Sequence, residues 1–424
     1  LWAFEYEHYT TADGLADNHV RDVAITDDGT VWIASAFDVS FTGGLTKWDS
    51  NGFTRYYTWN TDRGLLCNTV HQVELDTAGN IWVSSGLPIF CTGGISRFDG
   101  LTWTSFTVEE LYGDSLAGGI YKLAFDHTGN LLLVSGGGSD FGGPLCKFNI
   151  TTHEFSIIHG YADEPVDFYR IVDVLVASDS SVWLPNRRDG LLHIVDSTKT
   201  LYTVDDGLIS NYCNSVDEDS CGNIWVSFGR VIHSGIYYGR VMYYDGVEWV
   251  NPFHGVVSDT SFHWPSIMID EYNRKWIGDE DKMFCISDTG YIQLNYDHVA
   301  YLAPFTLADN KLYAGAAAVS PGLYVTDVST IDWDWTPLPP YNVEEPVDLP
   351  ENFSIACQPN PFNAALSISA PNGAFITIHD TQGRQVADLG TERVWEAKGQ
   401  PSGVYLVKAQ KGDVVVEERV VLVK

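Results

Sequence analysis

One short phrase recurs along most of the chain: a tight turn followed by an apolar strand centred on tryptophan. It reads Asp28-Gly29-Thr30-Val31-Trp32-Ile33, then Ala78-Gly79-Asn80-Ile81-Trp82-Val83, and later Cys221-Gly222-Asn223-Ile224-Trp225-Val226. Thr128-Gly129-Asn130-Leu131-Leu132-Leu133 and Ser180-Ser181-Val182-Trp183-Leu184 are further copies. Asn273-Arg274-Lys275-Trp276-Ile277 and Asn310-Lys311-Leu312-Tyr313-Ala314 are weaker ones, which makes seven. Trp82 lies 50 residues after Trp32, Leu132 follows at 50 and Trp183 at 51; later steps run from 37 to 51, as loops of unequal length would produce. Self-similarity at this period confines the chain to architectures in which each unit hides its apolar faces against its neighbours.

Each copy has the same internal grammar. An alternating strand such as Val20-Arg21-Asp22-Val23-Ala24-Ile25 comes first, then an Asp/Gly/Asn turn of the kind a two-stranded hairpin needs. The Trp-bearing strand follows. A Gly-rich loop leads to a third strand, Gly44-Leu45-Thr46-Lys47-Trp48-Asp49 or Gly94-Ile95-Ser96-Arg97-Phe98-Asp99, and another turn to a fourth, Phe53-Thr54-Arg55-Tyr56-Tyr57 or Thr102-Trp103-Thr104-Ser105-Phe106. Four short antiparallel strands every ~45–50 residues describe a propeller blade. No helical period separates the meanders, which excludes an α/β barrel. The fold expected of residues 1–340 is therefore an all-β, seven-bladed β-propeller. The recurring Trp is expected to pack between blades, and the turn Asp to bond nearby backbone amides. Neither is read as catalytic. Two segments compete to close the ring. Residues 4–9 look like a fourth strand without its blade and are expected to pair with the last one; residues 331–335 offer a second candidate, and the sequence leaves the choice open.

This grammar resembles the two-component-regulator propeller repeat. The matching residues are Gly14-Leu15, Asn18, Asp28-Gly29, Val31-Trp32-Ile33 and Gly43-Gly44-Leu45, repeated as Gly64-Leu65, Asn68, Gly79-Asn80-Ile81-Trp82 and Gly93-Gly94-Ile95. The resemblance spans residues 1–340. It implies an extracellular sensor-type domain, for which glycans are the ligands usually ascribed. No transmembrane helix or kinase follows here, so the sensor role is not carried over.

Composition changes at Pro337-Leu338-Pro339-Pro340, and residues 341–350 read as a semi-rigid linker. Residues 351–424 hold a second β pattern, with strands expected at 366–369, 374–379, 403–408 and 419–423. Short alternating strands over this length suggest an immunoglobulin-like β-sandwich. Four motifs in order, Pro359-Asn360-Pro361-Phe362-Asn363, residues 376–386, residues 401–408 and Val421-Leu422-Val423-Lys424, resemble the carboxy-terminal sorting domain of type IX secretion and the sandwich of flagellar hook-capping proteins. That resemblance implies passage across the outer membrane, with attachment to the cell surface or release.

Charge narrows the partners. The 424 residues carry 56 acidic and 24 basic side chains, a net charge of −32. Such a chain repels phosphate backbones and anionic bilayers, so no nucleic acid and no membrane surface is expected. No stretch approaches the length of a transmembrane helix. The chain opens with Leu1, as after removal of a signal peptide, and an extracellular or outer-surface location is expected. Carboxylates suit Ca²⁺, but no run has EF-hand spacing, and no cofactor or metal is expected.

In a blade, the loop after strand two and the loop before strand one share a rim. Cys67 and Cys91 occupy those two loops of the second copy and form a disulfide candidate. Cys213 is read as the equivalent of Cys67. The same rim carries Phe41, Phe90, Phe141 and Tyr238 before its glycines, rings able to cap a blade or to stack on a sugar. Arg63, Arg187 and Arg188 stand out in an acidic chain, as carboxylate ligands or as local partners of Asp. His263 and Trp264 open the sixth copy at the mouth. A sialidase needs a cluster of arginines, a Tyr and carboxylates; 13 mostly scattered arginines do not assemble it. The reading is a non-enzymatic surface propeller that binds a glycan or a surface protein through this rim. The rivals are a self-assembling fibre or surface-layer subunit that docks by strand addition, and a polysaccharide-active lyase or sialidase-like enzyme.

Overall fold

The computed structural model describes residues 5–37, 42–87, 91–112, 119–136, 142–159, 171–229, 241–252, 266–279, 282–287, 290–296, 302–316, 320–331, 333, 356–358, 360–370, 375–380, 384–411 and 414–423. The chain divides into two compact units, Leu1–Tyr341 and Asn342–Lys424. The segment read as a linker lies outside the described residues.

The first unit is a seven-bladed β-propeller built of seven four-stranded antiparallel sheets. In blade one, strands Val20–Ile25, Val31–Phe37, Thr42–Asp49 and Gly52–Tyr56 follow one another from the inside of the ring outward. The innermost strands of the blades are Val20–Ile25, Val70–Leu75, Gly119–Phe125, Leu175–Val176, Cys213–Glu218, Ser266–Ile269 and Leu302–Ala308. Each meets the innermost strand of the next blade, and the seventh meets the first. Closure removes the exposed edges that an open stack of sheets would leave.

Seven apolar clusters fill the seven interfaces, and each holds the Trp-position residue of the preceding blade. Trp32 packs with Ile81, Val83 and Phe98 of blade two, and Trp82 with Leu131, Leu133 and Phe148 of blade three. Leu132, Trp183, Trp225 and Trp276 repeat the arrangement. Tyr313 of blade seven completes it against Val23, Val31 and Ile33 of blade one. The residue at the Trp position is thus core at every copy.

The turn carboxylates hold those rings. Asp76 accepts from the N–H of Ala78 and Asn80 at 3.0 and 2.9 Å, and from Trp82 Nε1 at 3.0 Å. Asp219 accepts likewise from Asn223 N and Trp225 Nε1, both at 2.9 Å, and Asp270 from Arg274 N at 2.9 Å and Trp276 Nε1 at 2.8 Å. In blade one Thr26 takes this acidic position. Asp28, two residues further on, accepts instead from Thr30 N at 3.0 Å and reaches no indole.

The ring closes through the amino-terminal strand. Tyr6–Tyr9 pairs antiparallel with Gly322–Asp327 and becomes the outermost strand of blade seven. Tyr6 lies against Tyr296 and Tyr324, and His8 stacks on Tyr324 at 4.2 Å. The other candidate is turned aside by a 3-10 turn over Val328–Thr330. Trp333 beyond it covers Arg274, whose guanidinium carbon is 4.7 Å from the indole centroid.

The second unit is an immunoglobulin-like sandwich. One sheet has the order Ala356–Gln358, Ala365–Ser369, Val394–Glu396; the other runs Gln385–Gly390, Phe375–Asp380, Gly403–Lys411, Val414–Leu422. Leu366, Ile368 and Trp395 of the first meet Ile376, Ile378, Tyr405, Val407 and Val420 of the second. Strict alternation in Ala365–Ser369 puts Leu366 and Ile368 inward and Ala365, Ser367 and Ser369 outward.

Candidate functional site

Within the propeller, the connections entering each innermost strand and those following each second strand lie at one end of the blades. Three of the entering loops, those of blades one, two and five, are built alike. Asn18 Oδ1 accepts from Thr11 N at 2.6 Å, Asn68 Oδ1 from Thr58 N at 2.9 Å, and Asn211 Oδ1 from Val204 N at 2.8 Å. Leu15, Leu65 and Leu208 plug the core beneath them. Gly64 precedes Leu65 because any side chain there would run into Trp103. These are the Gly-Leu and Asn signatures of the repeat, and they shape loops rather than bind ligand.

Cys67 and Cys91 form a disulfide with Cα atoms 6.0 Å apart. It ties the loop entering blade two to the loop after its second strand. Cys146, Cys213 and Cys285 are buried thiols and Cys221 is an exposed one. Cys213 is not the counterpart of Cys67. It opens its innermost strand as Val70 does, ahead of the same bulge, and Ser210 occupies the position of Cys67 before the capping Asn. The sequence carried the answer, since Cys67 lies two residues after Leu65 and Ser210 two residues after Leu208.

Four of the innermost strands share a bulge near that end, at Val20/Asp22, Val70/Gln72, Ile120/Lys122 and Cys213/Ser215. A bulge re-aims the side chain it leaves unpaired. Those side chains are Arg21, His71, Tyr121 and Asn214. Arg21 Nε donates to Ala36 O at 2.9 Å, and His71 Nε2 to Gly86 O at 2.8 Å. Tyr121 stacks on His71 at 4.2 Å, and Asn214 Oδ1 accepts from Arg187 Nε of the preceding blade at 2.9 Å.

Just beyond the bulges, polar side chains latch each blade to the next. Asp22 accepts from Val73 N at 2.9 Å, Gln72 Oε1 from Leu123 N at 2.8 Å, Asp173 from Ser215 Oγ at 3.0 Å, and Asp217 from Ile269 N at 2.6 Å. Lys122 pairs with Asp173 at 3.2 Å, with 31% and 21% of their side chains open to water inside the ring. Burial pushes the Asp22 carboxyl up to about 6, Asp217 up to about 7, and Glu74, which also faces Asp22, up to about 8. Burial disfavours the Lys122 ammonium, but Asp173, Asp22 and Glu74 outweigh it and raise its pKa.

Asp17 and His19 form the one carboxylate–imidazole pair of this end among the described residues, with Oδ1 and Nδ1 2.7 Å apart. Phe37 covers the imidazole face at 3.8 Å. Burial works against the Asp17 anion, but the His19 N–H and the Thr42 and His19 side chains hold its pKa below the usual range.

The arginines singled out from sequence do not come together. Arg63 is exposed with a left-handed φ of 61°. Arg187 braces Asn214, while the neighbouring Arg188 is 64% exposed and lies 4.0 Å from Asp189. Phe41, Phe90, Phe141, Tyr238, His263 and Trp264 lie outside the described residues. Among the described residues, no group of three His, Cys, Asp or Glu side chains is placed to hold a metal, and no helix is long and apolar enough to cross a membrane. Sequence reasoning passed over Arg21, His71 and Tyr121. Their signal is a break in alternation, two polar residues in a row inside Val20-Arg21-Asp22-Val23, Val70-His71-Gln72-Val73 and Ile120-Tyr121-Lys122-Leu123.

Comparison with known proteins adds the location. Residues 357–424 match the family described as secretion system C-terminal sorting domain. The carboxy-terminal sandwich is a sorting domain. The protein is therefore an exported propeller of the cell surface or extracellular space. No curated protein matches the sequence. Among solved structures, the propeller and sorting domain together resemble PorZ, an essential bacterial surface component of the type-IX secretion system of Porphyromonas gingivalis, at 15% identity and TM-score 0.53 over 97% of this chain. The extracellular domain of a putative hybrid two-component system from B. thetaiotaomicron gives 13% identity and TM-score 0.59 over 99%. The chain spans 60% and 57% of those two proteins. Virginiamycin B lyase from Staphylococcus aureus aligns with 76% of this chain and 99% of its own, at 11% identity and TM-score 0.56. These likenesses establish the fold.

Proposed function

We propose that this exported propeller is a non-enzymatic binding protein whose loop rim takes a glycan, with a surface protein as the alternative partner. One observation carries the reading: the rim is braced from beneath. Asn caps fix three entering loops, a disulfide joins two loops of blade two, and of the bulged side chains Arg21 and His71 bond second-strand carbonyls, Tyr121 stacks on His71 and Asn214 bonds Arg187. Loops held rigid before a ligand arrives lose less entropy on binding, and rigid scaffolds carrying exposed loops are where recognition collects. A binding panel of neutral and acidic oligosaccharides against the intact chain tests the reading. Affinity for at least one class supports it, and no affinity for any class defeats it.

The Asp17–His19 pair favours a second reading, acid–base chemistry on a polysaccharide. His19 lends Nδ1 to Asp17 and a ring face to Phe37, which leaves Nε2 as the nitrogen for a substrate. Incubation with the same saccharides separates the two readings. Chain shortening lost in His19→Ala supports the enzyme; unchanged saccharides support the binder.

A further inference from the structure

The loop between blades one and two differs from its counterparts. The Asn cap closes over seven residues at Thr11–Asn18 and at Val204–Asn211, but over ten at Thr58–Asn68. The longer loop carries Trp59, which is 74% exposed. The ring is not loose. It lies on Tyr57 with centroids 5.2 Å apart and planes 12° from parallel. Tyr57 is itself anchored through Oη to Ala16 O at 3.2 Å. Gly44 makes room for it, since a Cβ there would sit 2.9 Å from Tyr57 Cε1. The loop backbone is pinned on both sides of Trp59. Asn60 Oδ1 accepts from Tyr57 N at 2.7 Å, Asn60 Nδ2 donates to Arg55 O at 2.9 Å, and Thr61 Oγ1 donates to Tyr57 O at 2.8 Å. One indole face is thus backed by a ring, and the other is open.

Burial does not explain this tryptophan, because it buries little. We propose that Trp59, backed by Tyr57, is a stacking platform for a neutral glycan. The inference rests on the glycan-binding reading of the rim and names its contact point and ligand class. An aromatic face carries partial negative charge, and the axial C–H groups on one face of a pyranose carry partial positive charge, so the two stack. Asp62 and Arg63, exposed in the same loop, supply acceptors and donors for sugar hydroxyls. A protein hot spot would instead sit in a shell of residues that excludes water, and the neighbours here are polar. A net charge of −32 disfavours polyanionic sugars, which selects a neutral one.

The test is isothermal titration of the intact chain with neutral hexasaccharides (cellohexaose, laminarihexaose, mannohexaose) and with a hexauronide. At least one neutral hexasaccharide binds, Trp59→Ala weakens it at least tenfold, and Trp59→Phe keeps most of the affinity. The melting temperature of Trp59→Ala stays that of the parent, so the loss is not misfolding. Binding that Trp59→Ala leaves unchanged overturns the platform while the rim reading stands. Binding confined to the hexauronide also overturns it. Absence of all binding overturns both.

Discussion

At the hairpin end of the blades, Trp82 is 1% exposed and donates its indole N–H to Asp76; at the loop end, Trp59 is 74% exposed and rests on Tyr57. The carboxylates divide in the same way. Asp76, Asp219 and Asp99 at the hairpins accept several N–H groups. Burial works against the Asp76 and Asp219 anions, but these bonds win and hold both below the usual range, while backbone amides bring Asp99 to about 2. Around the inner ring, burial dominates, and Asp22, Asp217 and Glu74 resist ionisation. Carboxylates are thus bound at both places, by hairpin amides at one and by the inter-blade latches of Asp22 and Asp217 at the other, whereas of the two tryptophans only Trp59 stays open to water. The place to look for function is where polar and aromatic groups are held rigid but not consumed.

Mutation should separate the two ends. Trp82→Ala removes a buried ring between blades two and three, and is expected to cost about 3–5 kcal/mol, read as a lower denaturant midpoint for the propeller transition. A cost near zero would mean that the Trp positions are not the inter-blade core. Reduction of the Cys67–Cys91 bridge, or Cys67→Ser with Cys91→Ser, is expected to cost about 3 kcal/mol on the chain-entropy argument for a loop of this size. Thermal melts with and without reductant check this, and equal melts would show that the bridge constrains nothing.

The inner ring predicts an unusual pH response. The folded pKa of Glu74 lies above its unfolded value, so the protonated carboxyl is favoured in the fold. Its stabilisation is complete below the unfolded value of 4.5 and declines as the pH rises through about 8. Asp22 and Asp217 act in the same sense up to about 6 and 7. The hairpin carboxylates act oppositely: their contribution is present above about pH 4 and is lost as acid protonates them. Denaturant midpoints from pH 3 to 9 should therefore peak on the acid side of neutrality, and Glu74→Gln should flatten the upper limb. A wild-type curve that rises steadily toward pH 8 would contradict the inner-ring assignment. The smallest effect is at the loop end, where Trp59→Ala should change stability by less than about 0.5 kcal/mol. A larger loss would move Trp59 to the structural side of the comparison.

Much of this was readable in advance because it is local. The Asp-x-x-Gly turn and the Trp strand lie within a few residues of each other, so seven copies announce seven blades. In the sorting domain the same alternation marks four of the seven strands and misses Ala356–Gln358, Gln385–Gly390 and Val394–Glu396, which are short or half-exposed. What joins blades is distant in sequence. The latch from Asp22 to Val73 N crosses 51 residues, and Tyr6 meets Thr326 across the whole ring, so neither the latches nor the closing strand could be chosen from neighbouring letters. Trp59 was invisible for another reason. Among 14 tryptophans it looks like any other until its loop is seen to be longer than its counterparts and the ring is seen to face water.

Hydrogen exchange of the intact chain, with and without a saturating neutral hexasaccharide that it binds, tests most directly whether one end builds and the other recognises. Protection is expected in residues 57–68 and in the other entering loops, with the hairpin turns at 26–30, 76–80 and 219–223 unchanged. Protection confined to those hairpin turns, or to the sorting domain at 357–423, would contradict the account.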